Sequence, residues 1–261
     1  MDLDLRGKTA LVGGATQGIG KAVAVELAQL GATVVLAARN KEALSAVCNE
    51  LPKPYAQNHG YIVADYSVPD EVRSAAERLV ASGPVHILVN NTGGPPSGPI
   101  TAAAPDAFLA AFNNHLVCNQ LLAQTVLPGM KSSGYGRIIN IISTSVKLPL
   151  KNLGVSNTVR AAVANWAKTW ANEVAPFGIT VNNVLPGATD TQRLRSLIEN
   201  KSVKAGIERT AVEKEMLDEI PMGRFADPAE VANAVAFLAA PAAAYISGIN
   251  LPVDGGRTGC L

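Results

Sequence analysis

The sequence predicts an α/β fold, a doubly wound parallel sheet of about seven strands with helices on both faces, and three observations carry that expectation. Short β-branched runs alternate with longer segments of helical period, the pattern of βαβ units around a sheet buried on both sides. A length of 261 residues with 48% hydrophobic residues suits one large domain with a sizeable core. A glycine-rich string, Gly13-Gly14-Ala15-Thr16-Gln17-Gly18-Ile19-Gly20, falls between the first strand and the first helix, as in a Rossmann-type dinucleotide site.

The strands are expected at Thr9 to Gly13, Thr33 to Ala38, Tyr61 to Ala64, His86 to Asn90, Arg137 to Ile142, Thr180 to Val184 and Asn250 to Val253. Each is a short apolar or β-branched run of the kind a two-sided sheet buries. Six amphipathic helices are expected between them, near residues 19–30, 41–51, 69–82, 106–131, 156–175 and 228–239. Asp70, Asp106 and Asp227 stand at or near helix starts, where a short acceptor satisfies free backbone N–H groups. From Pro186 to Pro221 a polar, charge-mixed helical pattern interrupts the rhythm, and a segment of that length is expected to be a substrate lid. No linker or repeat divides the chain, so one domain over residues 1–261 is expected.

The charge balance, 22 Lys plus Arg against 21 Asp plus Glu, leaves a net +1 and no overall field to gather nucleic acid or an anionic membrane. Charged residues make up 16% of the chain against a typical ~25%, so little charge covers the outside and an oligomer is favoured. Cys48, Cys118 and Cys260 are odd in number and far apart, which argues against a disulfide framework or a zinc site and for a reducing compartment. No apolar run reaches the ~18 residues of a membrane span. The opening Met1-Asp2-Leu3-Asp4 has no signal-peptide character, so a soluble cytoplasmic protein is expected.

In the glycine string, a diphosphate meets free N–H groups and the positive end of the helix dipole, and a Cβ at the tight turn blocks its approach. Gly14, Gln17, Gly18, Ile19 and Gly20 are the candidate binding residues. The second strand ends in Arg39, where an acidic residue would recognise a ribose 2′-hydroxyl. A guanidinium pairs instead with a 2′-phosphate, so NADP(H) is favoured over NAD(H).

Together these motifs resemble the short-chain dehydrogenase/reductase family, in particular its 3-oxoacyl-acyl-carrier-protein reductase-like subgroup, over nearly the whole chain. Residues 13–20 match the family's TGxxxGxG with Gly13 in place of Thr. The resemblance implies that Asp65 contacts the adenine, and that Asn91 and Gly93, in Asn90-Asn91-Thr92-Gly93, belong to the family's NNAG motif. It implies too that Pro186-Gly187 lies beside the nicotinamide. Pro221-Met222-Gly223-Arg224 and Val253-Asp254-Gly255-Gly256 resemble the family's ending.

The family's catalytic tetrad of Asn, Ser, Tyr and Lys is mostly absent. Its serine falls on Ser143; thirteen residues on, the tyrosine position holds Ser156, and four further the lysine position holds Arg160. The asparagine position holds His115, next to Asn114. An alkyl hydroxyl is a far weaker acid than a phenol, so Ser156 is expected to hold a substrate oxygen with Ser143 rather than supply its proton. Arg160 keeps a cation beside the nicotinamide ribose, although its planar fork is no copy of an ammonium. His115, if it titrates near neutrality, is a candidate proton donor. Lys147 and Lys151 follow Ser143 on a loop, and Tyr135 lies before the fifth strand, at the end opposite the cofactor.

Val159, Val163, Trp166, Ala167, Trp170 and Val174 form an apolar stripe on the helix carrying Arg160. The resemblance implies that this helix and the long one before it make a four-helix contact in a homodimer or homotetramer. The expected activity is NADP(H)-dependent oxidoreduction of a small carbonyl or alcohol substrate with a non-standard proton donor. A dinucleotide-binding protein without dehydrogenase activity, and a reductase of an activated double bond, are the alternatives the altered tetrad leaves open. No metal, nucleic-acid or membrane partner is expected.

Overall fold

The computed structural model describes residues 1–260. Its strands are β1 (Thr9–Gly13), β2 (Thr33–Ala38), β3 (Gly60–Val63), β4 (Ile87–Asn90), β5 (Gly136–Ile141), β6 (Ile179–Pro186) and β7 (Asn250–Val253). All pair in parallel, in the order β3-β2-β1-β4-β5-β6-β7. The central strands β4 and β5 are buried at every position, which is why they read as unbroken apolar runs, while the edge strands β3 and β7 are only partly covered. β6 is longer than the sequence suggests because its end keeps pairing with β7, as far as Pro186 opposite Val253.

Helices α1 (Gly18–Gln29), α2 (Lys41–Glu50) and α3 (Pro69–Val80) follow the first three strands. The expected helix at 106–131 is three pieces end to end: α4 (Pro105–Phe112), a π-helical turn over Asn113–Val117, and α5 (Cys118–Ser133). A π turn inserts a residue into the helical ladder and concentrates at functional sites; here it carries His115. Next comes α6 (Gly154–Val174), whose Val155, Val159, Val163, Ala167, Ala171 and Val174 are buried at helical spacing. The segment expected as a lid folds into α7 (Gln192–Ala205) and α8 (Arg209–Asp218), with a small core of Leu194, Ile198 and Val212. Finally α9 (Pro228–Ala239) packs beside α1.

Of the three expected caps, only Asp227 acts as one, accepting from Ala229 N at 2.8 Å within a capping box with Glu230. Pro69 and Pro105 open their helices, so Asp70 and Asp106 lie inside the first turn and Val68 and Ala104 take the cap positions. There the two carboxylates favour the positive end of the helix dipole, and Asp70 also pairs with Arg73 at 3.7 Å. Strand order reverses between β1 and β4, so the loops leaving their carboxyl ends diverge and open a crevice. Both the glycine turn and Asn91 sit there.

Candidate active site

At the glycine turn, Gly14 and Gly18 have φ of +56° and +53°, the left-handed region that only glycine enters freely. A Cβ on Gly20 would lie 2.2 Å from the Gly14 carbonyl oxygen, so helix and turn approach too closely for any side chain. Asn91 Nδ2 donates to Gly13 O at 3.1 Å and braces the turn from the end of β4. Gln17 precedes α1 in extended conformation, and no side chain caps the helix. Its first-turn N–H groups have no intrahelical acceptor, and a Cβ on Gly18 would lie 3.1 Å from Thr191, at the start of the 186–221 segment. An uncapped helix N-terminus fits a diphosphate.

Arg39 projects at the end of β2 as an exposed residue, and Asn40 caps α2 by accepting from Ala43 N at 2.8 Å. No ion pair engages Arg39 among the described residues. Asp65 lies on the same rim, its carboxyl held below the usual range by the backbone N–H and hydroxyl of Ser67, both at 2.8 Å, with the Arg39 charge adding to this. Pro186 ends β6, and a Cβ on Gly187 would come within 2.7 Å of Asp254, so glycine lets the C-terminal segment close on that turn.

Ser143 follows β5, with its Oγ accepting from Ser145 N at 3.1 Å. Ser156 lies half-buried in the first turn of α6, one helical turn before Arg160. The buried Arg160 donates from Nη1 to Ile141 O at 2.7 Å, which ties α6 to the carboxyl end of β5. Burial, then the nearby Arg193 charge, lowers its pKa to about 10. On the π turn, His115 is buried with Nδ1 2.5 Å from Thr92 Oγ1. Asn114 has its amide group against the Tyr66 and Ala110 carbonyl oxygens, surroundings that suit the amide nitrogen as donor.

Burial and then the Arg160 charge push His115 down to about 3, which disfavours the imidazolium form at neutral pH. Tyr135 donates from Oη to Ala239 O at 2.5 Å, at the start of β5 and away from the crevice. Lys151 is exposed and Lys147 is half-buried.

Two participants escaped the sequence reading. Arg193, on α7, donates from Nη2 to Pro95 O at 2.7 Å, latching the 186–221 segment onto the loop after β4. Thr92, which stands where the NNAG motif has alanine, is the partner of His115. Together Thr92, His115, Arg160 and Arg193 gather around residues 92–95, whereas Ser143 and Ser156 approach from β5 and α6.

A crevice at the reversal of a doubly wound sheet, floored by a glycine turn and an uncapped helix N-terminus, defines a nucleotide-binding protein of the Rossmann class. A family model described as enoyl-(acyl carrier protein) reductase matches residues 14–258. The chain is 34% identical over 257 residues to 3-oxoacyl-[acyl-carrier-protein] reductase FabG of Pseudomonas aeruginosa, covering 97% of this chain and 98% of that one. It is 31% identical to the NADPH-dependent reductase BacG of Bacillus subtilis, covering 95% and 97%. L-sorbose reductase from Gluconobacter frateurii, solved with NADPH and L-sorbose, superposes with a TM-score of 0.93 at 31% identity over 100% of both chains. The chain belongs to the short-chain dehydrogenase/reductase family.

Proposed function

We propose that this protein is an NADP(H)-dependent oxidoreductase acting on a small carbonyl or alcohol substrate, with a proton route that does not use tyrosine. The observation that carries the reading is the uncapped N-terminus of α1, approached by glycines and followed at the end of β2 by Arg39. Gly14, Gln17, Gly18, Ile19 and Gly20 would hold the diphosphate, Arg39 the 2′-phosphate and Asp65 the adenine side. Asn91, Gly93, Pro186, Gly187 and Arg160 would hold the nicotinamide end. The relatives support the cofactor choice, since BacG is described as NADPH-dependent and L-sorbose reductase was solved with NADPH.

When bound, that cofactor supplies or accepts the hydride. Ser143 and Ser156 hold the substrate oxygen by hydrogen bonds, and Arg160 keeps positive charge near the oxygen as it becomes negative. The neutral His115 stays paired with Thr92 and orients that wall, so water supplies the proton. The 186–221 segment acts as the lid, latched by Arg193, and the protein works as a soluble cytoplasmic homo-oligomer.

Reduction of an activated double bond is a second reading, favoured by one observation: with Ser156 in place of tyrosine and His115 at a pKa of about 3, neither position supplies an acid titrating near neutrality. Hydride addition to a conjugated carbon yields a delocalised enolate, which needs a cation more than an acid. Absorbance of NADPH with ketones, 3-oxoacyl thioesters and enones separates the readings. Oxidation with ketones supports the first, oxidation with enones alone the second, and tight NADPH binding without turnover a binding protein.

A further inference from the structure

We propose that the substrate carries an oxyanion, a carboxylate or a phosphoryl group, gripped between Arg160 on the floor of the crevice and Arg193 on the lid; this rests on the reductase reading above. A Cβ built on Gly94 would lie 3.5 Å from Arg193 Nη2 and 3.8 Å from Arg160 Nη2, so both guanidiniums converge on one face of this glycine. A side chain at 94 would fill that gap.

Arg160 is buried, while Arg193 is exposed overall and turns its guanidinium toward the same glycine. Burial lowers the pKa of each, and the Arg193 charge adds to the lowering at Arg160. His115, the titratable group facing Arg160 from the π turn, is neutral and offers no negative charge. Among the described residues no carboxylate pairs with either arginine. Arg160 is 9% exposed and spends only Nη1, on Ile141 O; Arg193 spends Nη2 on Pro95 O. Each planar fork therefore keeps donors suited to bidentate capture of an oxyanion.

The phosphates of the proposed cofactor are accounted for elsewhere, at Arg39 and at the start of α1. An anion that neutralises this pair would then come from the substrate. A neutral 3-oxoacyl thioester leaves this pair uncompensated, whereas an oxo acid neutralises it as the lid closes.

The test is calorimetry on protein saturated with NADP⁺, which binds a ketone without turning it over. The probes are 4-oxopentanoate, its methyl ester, 4-oxopentyl phosphate and the 3-oxobutanoyl thioester of N-acetylcysteamine. One of the two anions is expected to bind about tenfold or more tightly than the ester and thioester. Which anion wins identifies the group. R193Q, which also removes the latch to Pro95, is expected to erase the advantage, the anions losing about tenfold more affinity than the ester while NADP⁺ affinity stays within about twofold, and R193K to restore part of it. Ester or thioester binding as tight as either anion, or R193Q weakening every probe equally, overturns the proposal. Absence of NADP⁺ binding overturns the reductase reading instead. The anions are then titrated onto cofactor-free protein, where an R193Q-sensitive preference over the ester upholds the grip and no preference overturns it.

Discussion

Arg39 and His115 show what single side chains decide here. Arg39 is exposed at the end of β2 and no ion pair engages it among the described residues, so its fork can meet a 2′-phosphate. One charge-assisted pair is worth about 1.5–3 kcal/mol, so Arg39→Asp is expected to raise the NADPH Kd by about 10- to 100-fold and leave NADH within a few-fold. Calorimetry with both cofactors checks this, and an unchanged ratio refutes it. For His115, the folded pKa of about 3 lies below the ordinary 6.5. The unfolded chain thus takes up a proton near 6.5 that the native state refuses, so stability is full above 6.5 and falls as pH drops toward 3. Urea melts of wild type and His115→Gln from pH 7 to 4 are expected to converge in slope except for this component, lost in the variant. The rate profile of the wild type is expected to show no limb at 6.5. Both residues were legible from sequence as candidates, because motif spacing reaches them. The neutral state of His115 was not, since it depends on burial and on Arg160, and Arg193 was not, since its partner Pro95 lies 98 residues away.

At the scale of elements, the sheet contains a ladder that explains part of its register. Asn90, Asn140, Asn183 and Asn250 stand in β4, β5, β6 and β7 at paired positions. Each Nδ2 of the first three donates to the next Oδ1 at 2.8 Å. Buried amides are costly unless paired, so a shift of one strand by a single residue breaks the chain of bonds and disfavours the wrong register. Asn140→Leu removes the central rung and strands Asn90 Nδ2 and Asn183 Oδ1, and the expected loss is about 3 kcal/mol, at 1–3 per orphaned group. A urea midpoint shift corresponding to less than about 1 kcal/mol would show that the ladder is incidental. The seven strands were readable because two-sided burial leaves continuous β-branched runs. The ladder was present as asparagines in four strands, two of them adjacent in β6, but which one joins it and what it means need the register. The π turn at Asn113–Val117 was hidden for another reason: no local residue preference distinguishes it from α-helix, and packing of His115 against Thr92 accompanies it.

For the whole molecule, the question is what covers the outside of a chain with so little charge. On α4, Phe108 packs inward against Val155 and Val159, while Leu109 and Phe112, three residues apart on one face, are 63% and 41% exposed. Trp166 and Trp170 are half-buried between α5 and α6, their indole N–H groups donating to the same Gln120 Oε1 at 2.7 and 2.9 Å, so they are largely spent inside the subunit. Val203, Met222 and Tyr245 are exposed singly elsewhere, whereas α4 offers two exposed apolar side chains side by side on one helix face. Adjacent exposed apolar side chains on one helix face favour association. A homodimer or homotetramer is expected in sedimentation at low micromolar concentration. Leu109→Glu combined with Phe112→Glu is expected to shift it to a smaller species while the far-ultraviolet spectrum and NADP⁺ affinity stay as in wild type, because neither residue reaches the glycine turn or Arg39. A wild-type monomer at that concentration removes the oligomer from the account. A variant that stays fully assembled moves the contact away from α4, to the outer faces of α5 and α6.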